Sequence, residues 1–254
     1  MVDTLLFKEI RSLTTLRPSP ETNQAFSNLV TFCLTSDEKD ITLSPKDITT
    51  LQELSSLAES EMETYWAKRI IASENPNEEL FHFWYYTNYS MLTDLEYKYA
   101  SLIRNDLKKI LFVGGGPLPL TSILLCQKYN LRCTILEKDQ ASSDLATQLI
   151  EALGLSESIS IKTVDAAEYT NYNQFDGIII AALVGNTPTI KDAIIRTIHA
   201  NMEKDSLLLC RHAHGARKLL YPPISSSTIK EMKPIIEVAP SHSIINSFFI
   251  LQKT

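Results

Sequence analysis

Hydrophobic and polar positions change their spacing near residue 105, and this change predicts two kinds of structure along the chain. Before it, apolar residues recur every three to four positions, which is the period of an amphipathic helix. After it, short apolar runs alternate with helical patterns, which is typical of a parallel sheet covered by helices. The pattern predicts a helical bundle domain over residues 1–105 and a doubly wound α/β domain over residues 106–254.

Four helices are predicted in the first part, each with a Ser, Asp or Asn near its start. Ser19 is a candidate N-cap because Pro20 directly follows it, and proline is favoured in the first helical turn. The predicted helices cover residues 3–15, 19–33, 44–71 and 77–104.

Five short apolar segments in the second part predict strands. One of them, 175–182, is apolar and β-rich over most of its length, as expected of a strand that is buried on both faces of a parallel sheet. The predicted strands are 108–113, 132–136, 158–164, 175–182 and 206–209, with helical patterns at 141–153 and 189–202.

A glycine-rich turn follows the first predicted strand. Gly114, Gly115 and Gly116 have no Cβ, so their backbone N–H groups can approach a ligand closely. A dinucleotide fingerprint requires a further spaced glycine, and Pro119 stands at that position. The turn therefore predicts a nucleotide site that has no obvious seat for a pyrophosphate.

Two carboxylates follow the next strands at positions that suit an adenosine ligand. Glu137 lies about 20 residues after the glycines, where a carboxylate can accept hydrogen bonds from both ribose hydroxyls. Asp165 ends the third strand and is placed to receive an adenine amino group. Together they predict an S-adenosylmethionine site on a Rossmann-like, class I methyltransferase-like sheet. Each residue alone also fits a structural role at a turn or a strand end.

Composition limits the partners that we expect. A net charge of −6 disfavours nucleic acid, which binds basic surfaces. No apolar stretch reaches the length of a membrane span, and no signal-peptide pattern is present, so we expect a cytoplasmic location and no membrane. Small molecules are the expected partners, and a homo-oligomer is left open.

Cysteine and histidine positions do not predict a metal site. The four cysteines occur singly in apolar surroundings, and we expect them to be small buried hydrophobes. His212 and His214 lie two residues apart with no third ligand at a suitable spacing. Arg211 and Arg217, which surround them, are better suited to holding the carboxylates of an amino-acid substrate.

An aromatic cluster in the helical part has two interpretations. Residues 81–89 read FHFWYYTNY, and aromatic residues at helical spacing usually belong to the core. Tyr85, Tyr86 and Tyr89 also carry hydroxyl groups that need partners when buried, so they can line a polar pocket.

Several motifs together resemble the nicotianamine synthase family along nearly the whole chain, in the family's order and spacing. One departure is His212, where plant members usually have Ser. The matching segments are PSP at 18–20, FWYYTNY at 83–89, LEY at 95–97, FVGGGPLPLTS at 112–122, AALVG at 181–185, HGAR at 214–217, LYP at 220–222 and INS at 245–247.

The resemblance implies a transferase that moves the 3-amino-3-carboxypropyl arm of S-adenosylmethionine to an amine and releases methylthioadenosine, with no metal. It implies that Glu63 is the general base and Tyr89 its partner, between the two domains, although Glu63 alone would be a surface charge. Pro117 and Ala182 join the adenosyl site. The expected substrate contacts are Tyr86, Arg211, His214, Arg217 and Asn246.

Three alternatives stay open from the sequence. Nicotianamine synthases combine three S-adenosylmethionine molecules, whereas related metallophore enzymes add one aminobutyrate arm to histidine or another amino acid. A change at His212 could favour such a single transfer by altering the acceptor site. An ordinary methyltransferase, which would release S-adenosylhomocysteine, and a protein that only binds an adenosyl ligand are the other two.

Overall fold

The structure is a computed structural model that describes residues 2–185, 187–240 and 244–253. The first part of the chain is helical, as the pattern predicts. Its helices are α1 (Val2–Ser12), α2 (Pro20–Thr35), α3 (Pro45–Ile71), α4 (Pro76–Phe81) and α5 (Tyr86–Ile103).

Side-chain caps set the starts of α2 and α3. Ser19 Oγ accepts a hydrogen bond from the backbone N–H of Thr22 at 3.1 Å, and Pro20 is the first helical residue. Ser44 Oγ accepts from the N–H of Asp47 at 3.2 Å. Such a cap satisfies a backbone donor that has no partner within the helix. The predicted starts of these two helices are confirmed within one residue.

The prediction of one helix over 77–104 is wrong, because the chain turns between α4 and α5. The N–H of Tyr86 donates to the carbonyl of Phe83 at 2.8 Å within this turn. Phe83 is buried there, and its ring centroid lies 5.8 Å from that of Trp66. The local pattern of this segment favours one continuous helix, but the helix is interrupted where Phe83 packs into the core.

A seven-stranded sheet forms the second part, in the order β3-β2-β1-β4-β5-β7-β6. The first five strands are parallel, and β7 is antiparallel to both β5 and β6. The strands are β1 (Lys109–Val113), β2 (Arg132–Glu137), β3 (Ile159–Thr163), β4 (Gly177–Ile180), β5 (Leu207–His212), β6 (Ile236–Val238) and β7 (Ser247–Gln252). The helices are α6 (Leu120–Tyr129), α7 (Gln140–Ala152), α8 (Pro188–Asn201) and α9 (Ser226–Met232).

All five predicted strands are confirmed, whereas β6 and β7 are absent from the sequence-based prediction. Strand β7 reads SFFILQ and is buried over most of its length. A short apolar run of this kind cannot be assigned to a strand or a buried helix from its periodicity. The pairing of this segment with β5 identifies it as a strand. Because the pairing is antiparallel, the α/β sheet is a mixed one.

The helical part and the sheet share hydrophobic cores. Trp66 of α3 and Leu92 of α5 are buried in one cluster with Phe112 of β1. On another side, Leu29 of α2 is buried in a cluster with Leu219, which follows β5. Buried contacts therefore cross residue 105, and the domain boundary at that residue stays a prediction from the sequence pattern.

The described residues contain no helix whose length and hydropathy would let it cross a bilayer. The four cysteines are buried, as expected from their apolar surroundings. Their burial places them among the core side chains of the helical part and the sheet.

Candidate active site

A cleft of about 910 Å³ lies between α3 and the carboxyl ends of the parallel strands. Open α/β sheets bind their ligands outside this edge, and the volume is in the range of sites for small molecules. The wall includes residues that follow β1, β2, β3 and β4, together with residues of α3 and α5. The glycine turn, Pro117, Glu137, Asp165 and Ala182 are all part of this wall, where the sequence predicts the adenosyl site.

The glycine turn after β1 has no room for side chains. Gly114 has φ of 84° and Gly116 has φ of 60°, a region that residues with a Cβ rarely adopt. A Cβ on Gly114 would lie 2.3 Å from Val184 Cγ2, and a Cβ on Gly115 would lie 2.3 Å from Ile135 Cγ2. The backbone of this turn therefore packs directly against the neighbouring loop and strand.

Glu137, at the end of β2, holds the turn in place. Its Oε2 accepts a hydrogen bond from the N–H of Gly116 at 2.8 Å, and its Oε1 accepts from the N–H of Asp139 at 2.9 Å. In the next wall segment, Asp165 Oδ1 accepts from the N–H of Ala167 at 2.8 Å. Both carboxylates thus face the cleft with their local geometry fixed, and their contacts with ribose and adenine stay predictions.

Two carboxylates of α3 meet two tyrosines at the other side of the cleft. Glu59 and Glu63 are four residues apart, so they project from the same helix face. The hydroxyl oxygen of Tyr89 lies 3.3 Å from Glu59 Oε1 and 3.5 Å from Glu63 Oε1. The hydroxyl of Tyr221 lies 3.4 Å from Glu59 Oε2. All four side chains are part of the cleft wall.

Glu63 also reaches the glycine turn. A Cβ built on Gly116 would lie 2.7 Å from Glu63 Oε2, so a larger residue there would require the carboxylate or the turn to move. The predicted base therefore lies between the turn that follows β1 and the hydroxyl of Tyr89. The surface-charge interpretation of Glu63 does not describe this position.

Protein surroundings make the ionisation of both glutamates unfavourable. Each side chain is half-buried, with its exposed part on the cleft. Desolvation is the largest cause that raises the pKa of Glu63 well above 4.5, and the negative charges of Glu59 and Glu137 raise it further. Desolvation also raises the pKa of Glu59, opposed by hydrogen bonds from Tyr89 and Tyr221. A carboxyl group with a raised pKa is better matched to proton transfer near neutral pH.

The two tyrosines remain protonated in this environment. Desolvation raises the pKa of Tyr89 well above 10.0, and the charges of Glu59 and Glu63 add to this effect. Desolvation, followed by the charge of Glu59, likewise raises the pKa of Tyr221. Both hydroxyl groups can therefore act as hydrogen-bond donors to the carboxylates at neutral pH.

The guanidinium fork of Arg211 differs from the expectation that it holds a substrate carboxylate. Its Nε and Nη2 donate to Glu96 Oε1 and Oε2 at 2.7 and 2.8 Å, and its Nη2 also donates to Thr121 Oγ1 at 2.7 Å. Arg211 is part of the cleft wall, but a carboxylate of α5 already occupies its bidentate face.

Three other predicted substrate contacts lie outside the described wall of the cleft. The imidazole of His214 contacts Ser247 Oγ through Nδ1, and its Nε2 lies 2.9 Å from Nη1 of Arg217. Arg217 is buried. Desolvation raises the pKa of the nearby Cys33 thiol to about 12, and the positive charge of Arg217 opposes this shift. The Tyr86 ring packs against Phe81 at 4.9 Å between centroids. These side chains take part in packing within the fold in this structure.

His212 also lies outside the described wall, and its effect on the acceptor site stays a prediction. It is the last residue of β5, and successive strand residues point to opposite faces of the sheet. Arg211 therefore faces Glu96 and the cleft, whereas the His212 ring packs 5.9 Å from the ring of Phe249. Desolvation lowers the pKa of His212 to about 4, so its imidazole is neutral at neutral pH.

A smaller cavity of about 80 Å³ adjoins the cleft. Asn246 is part of the wall of both spaces, and its buried Nδ2 has no hydrogen-bond partner among the described residues. An unpaired buried amide is costly unless a ligand or water completes it. The residues that both walls share are Glu59, Tyr89, Tyr221 and Asn246.

Sequence reasoning missed Glu59 and Tyr221 as residues of the cleft wall, and Glu96 as the partner of Arg211. A signal existed for Glu59, because it precedes Glu63 by one helical turn on a helix with a well-defined start. Tyr221 and Glu96 lie inside the LYP and LEY motifs, but the motifs do not reveal their partners.

Potential metal ligands are dispersed. No group of three or more His, Cys, Asp or Glu side chains in the described ranges has an arrangement that could hold a metal ion. The acidic side chains of the cleft instead contact backbone N–H groups and tyrosine hydroxyls.

The Rossmann-like sheet, its glycine turn and the carboxylate-lined cleft are typical of the class of S-adenosylmethionine-dependent transferases. Comparison with known proteins identifies the family within that class. The family model described as nicotianamine synthase protein matches residues 3–254, and the chain belongs to this family of S-adenosylmethionine-dependent aminocarboxypropyl transferases.

Individual relatives agree with this assignment. The chain is 30% identical to "Nicotianamine synthase" of Solanum lycopersicum, over 98% of this chain and 81% of that one. It is 32% identical to "Nicotianamine synthase 1" of Arabidopsis thaliana, over 98% and 82%.

Solved structures agree on the fold. A mutant of MtNAS in complex with S-adenosylmethionine is similar with a TM-score of 0.85 and 24% identity, over 99% of this chain and 96% of that one. MtNAS in complex with MTA and tNA is similar with the same TM-score and identity, over 100% and 96%. The predicted fold class and family are confirmed.

Proposed function

We propose that this protein transfers the 3-amino-3-carboxypropyl arm of S-adenosylmethionine to an amine between α3 and the sheet, and releases methylthioadenosine. The position of Glu63 carries this proposal. Its carboxylate lies against Gly116 of the glycine turn on one side and near the hydroxyl of Tyr89 on the other. A base at this position can serve a reaction at the sulfonium end of a nucleoside that the turn holds.

The sheet side of the cleft supplies the proposed adenosyl site. Glu137 and Asp165 follow adjacent strands and both face the cleft, so they can receive the ribose hydroxyls and the adenine amino group. The left-handed backbone of Gly114 and Gly116 makes the tight turn that forms part of the cleft wall, where its backbone can contact the ligand. In this proposal the amino-acid arm of the sulfonium extends toward α3.

The chemical step requires a neutral amine, because an ammonium has no lone pair. The nitrogen lone pair attacks the arm carbon that is bonded to sulfur, the carbon–sulfur bond breaks, and its electron pair stays on sulfur. The sulfonium thereby becomes the neutral thioether methylthioadenosine, and the proton that the nitrogen loses passes to Glu63. The sulfonium has three carbon substituents, and the site selects among them by which carbon it aligns with the amine.

We propose nicotianamine as the product, formed from three S-adenosylmethionine molecules. The support is the name shared by relatives that are 30 to 32% identical over 98% of this chain. The unpartnered amide of Asn246, where the cleft meets the smaller cavity, can give an amino-acid-like acceptor a polar partner. Because His212 faces away from the described cleft wall, its difference from plant members gives no structural support to a single transfer.

Incubation of the purified protein with S-adenosylmethionine alone tests the proposal. We expect methylthioadenosine and nicotianamine by chromatography and mass spectrometry. If turnover requires added histidine or another amino acid, the reaction is a single transfer and its product is not nicotianamine. Formation of S-adenosylhomocysteine, or binding without any turnover, would overturn the proposal. The cytoplasmic location and a homo-oligomer stay predictions from the sequence.

A further inference from the structure

The proposed base has a second carboxylate beside it that the reaction scheme above does not use. Glu59 lies one helical turn before Glu63 on α3, and both are near the hydroxyl oxygen of Tyr89, at 3.3 and 3.5 Å. Tyr221 approaches Glu59 from the opposite side of its carboxylate, at 3.4 Å. The order of contacts is therefore Glu63, Tyr89, Glu59 and Tyr221.

The number of hydrogens in this chain of contacts limits its protonation. A tyrosine hydroxyl has one hydrogen, so Tyr89 can donate to only one of the two carboxylates. If both were ionised, the other carboxylate would face the hydroxyl oxygen without a hydrogen between them. One added proton makes both contacts of Tyr89 hydrogen bonds, because the protonated carboxyl group can donate to the oxygen of Tyr89 while Tyr89 donates to the other carboxylate.

We propose that Glu59 is a positioning residue that shares one proton with Glu63 through the hydroxyl of Tyr89. In one state Glu63 carries the proton and donates to the Tyr89 oxygen, while Tyr89 donates to Glu59. In the other state the carboxyl proton of Glu63 has moved to Tyr89, and the former Tyr89 proton has moved to Glu59. No electron transfer accompanies the exchange, and Glu63 is then a carboxylate that can accept the amine proton.

This inference rests on the proposed function, because the amine proton is the one that the transfer reaction releases. Glu59 acts through Tyr89 and Glu63, whereas Glu63 receives the proton directly. The wall of the smaller cavity includes Glu59 but not Glu63, so the two carboxyl groups do not border the same set of spaces.

Electrostatics agree with a shared proton. Two carboxylates in a desolvated site cannot both ionise at their ordinary pKa, because each charge disfavours the other. The pKa of Glu63 is raised by desolvation first and by the charge of Glu59 second. The titratable and charged groups that face the pair from other elements are Tyr85, Tyr89, Glu137, Arg211 and Tyr221. Of these, Arg211 is the cation, and its guanidinium is paired with Glu96.

A pH profile separates this role from a merely structural one. We compare the rate of methylthioadenosine formation in the parent protein, Glu59→Gln and Glu61→Gln. Glu61 is the matched control, because it lies on the same helix, is outside the two cavity walls and pairs, among the described residues, with Arg17 at the surface. We expect E61Q to follow the parent profile.

In E59Q, the negative charge next to Glu63 is lost, so Glu63 ionises more easily. The acid limb of the profile of kcat against pH should therefore move to lower pH. Loss of the proton store should lower the maximal kcat by about tenfold or more, with KM changed by about twofold or less. An acid limb that stays in place, or an unchanged kcat, would overturn the proposal.

A titration without substrate tests the proton sharing independently of activity. Carbon-13 NMR of protein labelled at the glutamate side-chain carboxyl carbon should show two coupled titrations above the ordinary glutamate range. In E59Q the Glu63 titration should move to lower pH, and in E63Q the Glu59 titration should do the same, so either variant suffices if the other does not fold. If the titration of each glutamate is unchanged when the other is replaced by Gln, the two do not share a proton. If the parent protein forms no methylthioadenosine, the proposed function is wrong. The NMR titration needs no turnover, so it would still show whether Glu59 and Glu63 share a proton.

Discussion

Arg211 of β5 and Glu96 of α5 form a bidentate ion pair inside the protein, with N–O distances of 2.7 and 2.8 Å. Their side chains are only 4% and 1% exposed, so the pair is shielded from solvent screening. The guanidinium also lies 5.9 Å from the ring centroid of Tyr89. The pair therefore links the helical part to the sheet directly behind the tyrosine that bridges Glu59 and Glu63.

Replacement of Glu96 by Gln should destabilise the protein by about 3 kcal/mol or more, because it leaves the buried charge of Arg211 without its partner. Urea unfolding measures this loss. Glu79→Gln is the control, since Glu79 pairs with Arg69, whose side chain is 47% exposed to solvent, and its replacement should therefore cost less stability. A double variant, E96L with R211M, should recover much of the lost stability. Equal effects of E96Q and E79Q would contradict this interpretation.

Glu63→Gln should remove the base and keep the shape of the site. We expect turnover to fall by about 10²- to 10⁴-fold, the usual contribution of a positioned general base. Binding of S-adenosylmethionine, measured by calorimetry, should be retained, because the proposed adenosyl contacts lie on the sheet side. Glu61→Gln is again the matched control. Turnover of E63Q at the parent rate would show that Glu63 is not the base.

The raised pKa of Glu63 should appear in the pH dependence of stability. A carboxyl group whose pKa is higher in the folded than in the unfolded protein binds more protons when folded, so its contribution to stability is lost as pH rises. The interval runs from the ordinary pKa of 4.5 up to the raised pKa. The free energy of unfolding of E63Q minus that of the parent should therefore increase with pH across this interval. A difference that stays constant or decreases in a urea series would contradict the raised pKa.

Gly116→Ala tests the contact between the glycine turn and the base. The new Cβ would lie 2.7 Å from Glu63 Oε2 at a backbone φ of 60°, so the carboxylate or the turn must move. Gly154→Ala is matched, because Gly154 has φ of 72° and a Cβ there meets nothing within 4 Å. Both variants should lose about 1 to 2 kcal/mol of stability from the left-handed backbone. Only G116A should lose turnover as well, and similar turnover in the two variants would argue against the contact.

Glu137→Ala should weaken the proposed adenosyl site. It removes the acceptor that holds the N–H of Gly116 at 2.8 Å and the proposed partner of the ribose hydroxyls. We expect KM for S-adenosylmethionine to rise by about tenfold or more, the effect of one or two charge-assisted hydrogen bonds. Glu151→Ala on the exposed face of α7 is the control. A KM that is equal in both variants would exclude Glu137 from the site.

Local signals in the sequence were sufficient for most of the fold. The caps at Ser19 and Ser44 have their partners within a few positions, so they are visible without a structure. The glycine turn and the apolar runs of the five parallel strands are also visible as local patterns, although the pairing of these strands joins distant segments. The break before Tyr86 and the strand β7 depend on distant partners, and the sequence did not reveal them.

By itself, the sequence indicated the family and the five parallel strands with the glycine turn, and it predicted Glu63 and Tyr89 as the base and its partner. Only the tertiary structure decided that Glu59 faces Tyr89 together with Glu63, and that Arg211 binds Glu96 across 115 positions of the chain. The physical reason is that charge pairing and desolvation depend on what surrounds a side chain in space. A motif specifies which chemical groups are present, whereas folding of the whole chain determines which of them are brought into contact.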